Sequence, residues 1–131
     1  MNEQPLHDLP QSFRDEHQQL LLHGINSWGD LKALDDQQIS RMVRQGRSSV
    51  RNFNRLRGIA TLVCDLNLAP QDAALLMHAG IASVAVLASS TPERLVRQTG
   101  RLERSLGSGR RAVVDLRLAQ TWIQAARRSM N

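Results

Sequence analysis

Apolar residues recur along this chain at helical spacing, and no sustained two-residue alternation interrupts them. Phe13, His17, Leu20 and Leu21 fall at i, i+4, i+7 and i+8, which predicts one apolar face on a helix ending at Gly24. Gly24 suits a left-handed C-cap because no Cβ obstructs a positive φ. Ile25 then plugs the turn, and Ser27 caps a short helix over 28–34. Asp35 followed by Gln38 is a capping-box pattern for a third helix with Ile39, Met42 and Val43 inward. A long helix follows over 48–66, with Val50, Phe53, Leu56, Ala60 and Val63 on its inner face and Gly58 as a weak point. Asn67-Leu68-Ala69-Pro70 ends it and starts another, since Pro is favoured at the first helical position.

The same plan then returns. Leu20/Leu76, Gly24/Gly80, Ile25/Ile81, Ser27/Ser83, Leu31/Leu87, Asp35/Thr91 and Ile39/Leu95 coincide at a constant offset of 56. A competing offset of 53 aligns Arg41-Met42-Val43-Arg44-Gln45 with Arg94-Leu95-Val96-Arg97-Gln98 and leaves the register of the second copy open. Thr91 and Pro92 open a helix carrying Leu95, Thr99, Leu102 and Leu106 on one face. Gly107-Ser108-Gly109 reads as a flexible break, after which Ala112, Leu116, Ala119, Ile123 and Ala126 share a face of a last helix flanked by Val113 and Trp122. The expectation is an all-α fold in which two tandem units resembling the helix-hairpin-helix, over 11–67 and 68–131, fuse into one compact helical domain with a C-terminal packing helix. Residues 1–10, with Pro5 and Pro10, read as a loose arm.

Composition and charge sharpen this picture. With 131 residues and 41% hydrophobic content the chain can bury a core. No apolar run approaches the ~20 residues needed to span a bilayer, and the Met1-Asn2-Glu3-Gln4-Pro5 start lacks the pattern of a secretion signal. The expected location is therefore cytoplasmic, with no membrane partner. Cys64 is the single cysteine, so neither an internal disulfide nor a cysteine-based zinc site can form within one chain; its apolar helical setting suits a core residue. The net charge of +5 hides a division: residues 1–40 carry Arg14 and Lys32 against seven acids, a balance of −5, whereas residues 41–131 carry fifteen arginines against five acids, a balance of +10. Arginine, with a planar fork that suits phosphates and carboxylates, supplies sixteen of the seventeen basic side chains.

The Gly24-Ile25 and Gly80-Ile81 turns resemble those of the helix-hairpin-helix (SAM-like) class, in which two short helices meet at a glycine-containing bend. From about Leu68 to Arg128 the chain resembles a family of unknown function, common in cyanobacteria and built from such repeats. The resemblance is carried by Ala79-Gly80-Ile81, Leu87-Ala88, Thr91-Pro92-Glu93-Arg94-Leu95 and Trp122-Ile123-Gln124-Ala125-Ala126-Arg127. It implies a fold, and for function only that such domains serve DNA binding, protein docking and subunit contacts alike. DNA-binding hairpins of the class read Gly-apolar-Gly, and Asn26 and Ala82 stand here in place of the second glycine.

No catalytic constellation emerges, and no cofactor or small-molecule substrate is implied. His7, His17, His23 and His78 lack the i, i+4 spacing of a helical metal pair. His23 and His78, beside the turns, suit hydrogen-bonded structural roles, and Asp35 and Asp36 are explained by a helix cap. The expected occupation is non-enzymatic binding through arginine. Arg94, Arg97, Arg101 and Arg104, spaced by three, four and three, form one row, extended by Arg110 and Arg111; Arg44, Arg47, Arg51 and Arg55 form another. One reading is sequence-independent contact with nucleic-acid phosphates, assisted by turn amides near Gly80. The alternative is an adaptor docking on an acidic protein surface, with Trp28 or other apolar turn residues supplying affinity. A bland account is also open, in which the arginines form a solvated face paired with Glu93, Glu103 or the acidic N-terminal region.

Overall fold

The computed structural model describes residues 4–6, 9–105 and 114–130, the side chains of 103–105 excepted. Eight α-helices are present among the described residues: α1 (Arg14–Leu22), α2 (Trp28–Lys32), α3 (Asp36–Arg44), α4 (Val50–Leu66), α5 (Pro70–His78), α6 (Val84–Ala88), α7 (Pro92–Ser105) and α8 (Leu116–Ser129). The fold is all-α, and among the described residues no helix is long and apolar enough to cross a membrane. Helix α4 is the axle: α2, α3, α5, α6 and α8 all pack against it, while α7 rests on α5 and α8. Its Phe53, Leu56, Ile59, Ala60, Leu62 and Val63 are buried, a spread wide enough to face neighbours on several sides.

Helix starts match the chemistry read from the chain. Ser27 and Ser83 accept hydrogen bonds from the Asp30 and Val86 amides, both at 3.1 Å. Asp35 and Gln38 close a full capping box. The Thr91 hydroxyl accepts from the Arg94 amide at 3.2 Å, ahead of Pro92 at the first helical position. Asn67, at φ +56°, turns the end of α4 in the left-handed region that asparagine tolerates.

The two bends are alike in detail. Gly24 and Gly80 adopt φ of +73° and +92°. The Gly24 and Ile25 amides donate back to the Leu21 and Leu20 carbonyls at 3.2 and 2.8 Å, and the Gly80 and Ile81 amides donate to Met77 and Leu76 at 3.0 and 2.8 Å. This is the paired bonding of a Schellman cap. Helix starts also recur in step: Pro70 answers Arg14, Val84 answers Trp28 and Pro92 answers Asp36, always at the same offset of 56. The offset of 56, not 53, is therefore the structural register.

Trp28 is 1% exposed and takes the core role, the weightier of the two readings open to it, rather than that of an exposed anchor; its indole N–H finds no partner among the described residues. Several expectations need correction. Leu21, Val50 and Leu116, expected on inner faces, are exposed. Val50 and Leu116 are the first residues of their helices, beyond the edge of the core, and Leu21 is turned about 100° from the buried Leu20. Gly58 is not a weak point but a close approach: a Cβ there would stand 2.7 Å from the Ala82 carbonyl oxygen. Within the segment expected as a loose arm, Gln4 to Leu6 lie along the first bend. The Leu6 amide donates to the Asn26 carbonyl and the Trp28 amide to that of Gln4, both at 3.0 Å, and the Leu6 side chain is buried. Cys64 is half-buried, and burial is the main cause raising its thiol pKa, as suits a packing residue.

Candidate nucleic-acid interface

Helix α7 presents its two faces differently. Leu95, Thr99 and Gly100 are buried, and the Thr99 hydroxyl is turned back to the Leu95 carbonyl at 2.9 Å. Arg94, Arg97 and Arg101 lie on the opposite side and are exposed. None of the three has an ion-pair or side-chain hydrogen-bond partner among the described residues. Arg104 continues their spacing, but its side chain lies outside the described residues, as do Arg110 and Arg111.

The row expected from Arg44 to Arg55 does not form one stripe. Arg44 ends α3, Arg47 lies in the connection, and Arg51 and Arg55 belong to α4. The break is enforced at Ser49, whose hydroxyl accepts from the Asn52 amide at 3.1 Å while its own amide donates to the buried Glu16 carboxylate at 2.9 Å. Arg44, Arg47 and Arg51 are exposed, but Arg55 is half-buried. Its charge, after burial, is the second cause holding the His78 pKa below its ordinary value. Helical spacing across a helix break carries no common face.

Other arginines are tied into the fold. Arg57 donates to the Leu34 carbonyl at 3.0 Å and to Asp36 at 2.8 Å, and Arg127 donates through Nε to the Ala88 carbonyl at 3.0 Å. Lys32 pairs with Asp65. Among the described residues, acids of the N-terminal region thus reach Arg57 and leave the α7 row unpaired.

At the bends, the amides of Gly24, Ile25, Gly80 and Ile81 are all turned onto helix-end carbonyls. The Ala82 carbonyl faces α4 at Gly58 and Gln4 to Leu6 lie along the first bend, while Gly24, Asn26, Gly80 and Ala82 are exposed. His23 has the structural role expected of it, its Nδ1–H donating to the Gln19 carbonyl at 2.8 Å. His78 is held by stacking on Phe13, with ring centroids 6.0 Å apart.

Sequence reasoning missed Glu16, although it shares a helical face with Phe13 and Leu20. It is 2% exposed and takes, besides the Ser49 amide, an Asn52 Nδ2 donor at 3.2 Å. It also missed a cleft beside the first bend, of about 340 Å³, walled by α3 and the end of α1. No group of three or more His, Cys, Asp or Glu side chains among the described residues converges on a metal-sized site.

A model of the family described as "Domain of unknown function (DUF4332)" matches residues 10–129, so the chain belongs to that family, and the match takes in both bends. No curated protein and no solved structure matches the chain.

Proposed function

For this member of a family whose description names no activity, we propose sequence-independent binding to nucleic-acid phosphates through the outer face of α7, on a scaffold of two helix-hairpin-helix-like units. The carrying observation is that Arg94, Arg97 and Arg101 are aligned, exposed and without an ion-pair partner among the described residues, while Arg57 and Arg127 are engaged by the fold. Guanidinium groups repeating at three- and four-residue intervals on one rigid helix can follow a phosphate backbone, and each contact releases condensed counterions. The Gly24, Ile25, Gly80 and Ile81 amides close helix ends, so the proposal is carried by the arginine row without them. The row reads no bases: no aromatic side chain stands on α7 to stack or insert.

An acidic protein partner would meet the same arginines. Of the apolar turn residues that reading draws on, Trp28 lies in the core and supplies no affinity, while Leu21 and Leu22 before the first bend are exposed.

Fluorescence anisotropy on short duplexes of equal length and unrelated sequence tests the proposal. Wild type should bind all of them alike at low salt, and R94A/R97A/R101A should lose ~10-fold or more with an unchanged helical circular dichroism spectrum. Full retention of affinity in that variant would refute the assignment to α7.

A further inference from the structure

The register shared by the two halves places Gln38 and Arg41 of α3 and Gln45 just after it where α7 carries Arg94, Arg97 and Arg101. These three side chains form the polar rim of the cleft beside the first bend, and Ile25, Leu34 and Met42 are its apolar lining. The same outward position in the two halves thus bears a charged row in one and a half-apolar cleft with a single cation in the other.

We propose that this cleft is a slot for one unpaired nucleotide, its phosphate on Arg41 and its base over Ile25, Leu34 and Met42, with the Gln38 and Gln45 amides at the base edge. The proposal rests on the reading of α7 as a phosphate-binding face. The cleft volume, about 340 Å³, lies at the lower end of the range for small-ligand sites. None of its lining residues is acidic. Its polar groups are available: Arg41 and the Gln45 side chain have no partner among the described residues. Gln38 uses only its Oε1, accepting from the Asp35 amide at 2.9 Å, which leaves its NH₂ group. His23, also in the wall, donates through Nδ1 to Gln19, which leaves Nε2 for the ligand. A carboxamide both donates and accepts, as a base edge does, and the half-buried Ile25 gives the base its most accessible apolar contact, above the core residues Leu34 and Met42. An inorganic anion would use Arg41 alone, and an uncharged apolar compound the lining alone. A nucleotide uses all of these groups together.

The test is a titration of the isotopically labelled full chain with 5′-AMP and 5′-UMP, followed by NMR, against inorganic phosphate and ribose 5-phosphate as controls. The proposal expects saturable shifts at the Gln38 and Gln45 side-chain amides and the Met42 methyl with the nucleotides only. R41A and Q45A, both changes at exposed positions, should each weaken this binding, R41A by about tenfold or more. Equal shifts with inorganic phosphate, no saturable shift, or undiminished binding to R41A would overturn the slot. Blunt-duplex binding reports separately on α7: if R41A keeps it while R94A/R97A/R101A loses it, a failure of the slot leaves the phosphate-binding face standing. Nucleotide shifts in the cleft of a protein that binds no duplex would support the slot while refuting that face.

Discussion

At the scale of single residues, the informative positions are those where local preference and tertiary contact disagree. Alanine is the better helix former, by ~1 kcal/mol, yet Gly58→Ala should lower stability by ~1–3 kcal/mol, because its Cβ meets backbone rather than a movable side-chain tip. A raised melting temperature in this variant would mean that the second bend does not press on α4. Nothing near Gly58 in the chain announces this, because the partner, Ala82, lies on the far side of α5 in the sequence. His78 supplies a pH signal. Burial first, and the Arg55 charge second, lower its pKa from 6.5, so the unfolded chain binds the proton more tightly than the folded one. Its contribution is unaffected well above pH 6.5 and turns unfavourable as pH falls through 6.5 towards the lowered value. His78→Phe, which keeps a ring against Phe13, should unfold with a shallower loss of stability over that interval than wild type. Parallel denaturation curves against pH would contradict it.

At the scale of elements, the capping residues were legible because caps are local chemistry: Ser27, Asp35, Ser83, Thr91 and Pro92 each act within three residues of themselves. The gap between α3 and α4 was not, because the group that fixes it, Glu16, arrives from α1. Glu16→Ala strips an acceptor from both the Ser49 amide and Asn52 Nδ2, and should cost about 2–3 kcal/mol in a chemical denaturation experiment. Glu16→Gln, which retains one acceptor oxygen, should cost less. Equal stability of wild type and Glu16→Ala would show that α4 starts at Val50 without this support. The same break separates arginines that spacing alone had joined, whereas α7, an unbroken helix, keeps Arg94, Arg97 and Arg101 on one side.

At the scale of the whole molecule, the duplication was visible in the letters but its register was not, since Arg41–Gln45 also matches at an offset of 53. Paired Schellman caps and helix starts resolve it at 56. That register puts Gln38 and Gln45 opposite arginines, so the halves share a frame and differ in what they present on it. The charge division of the chain has a structural side as well: Asp36 and Asp65, one from the acidic N-terminal region and one from α4, hold Arg57 and Lys32, while Arg94, Arg97 and Arg101 are exposed with no ion-pair partner among the described residues. The central claim is that these arginines meet phosphates, and the most direct measurement is the dependence of duplex affinity on salt, as the slope of log K against log salt concentration. Removing three phosphate contacts should lower the magnitude of that slope by about 2.7 in R94A/R97A/R101A, and an R117Q/R128Q control on α8 should leave it near the wild-type value. Equal slopes for wild type and the α7 variant would contradict the account.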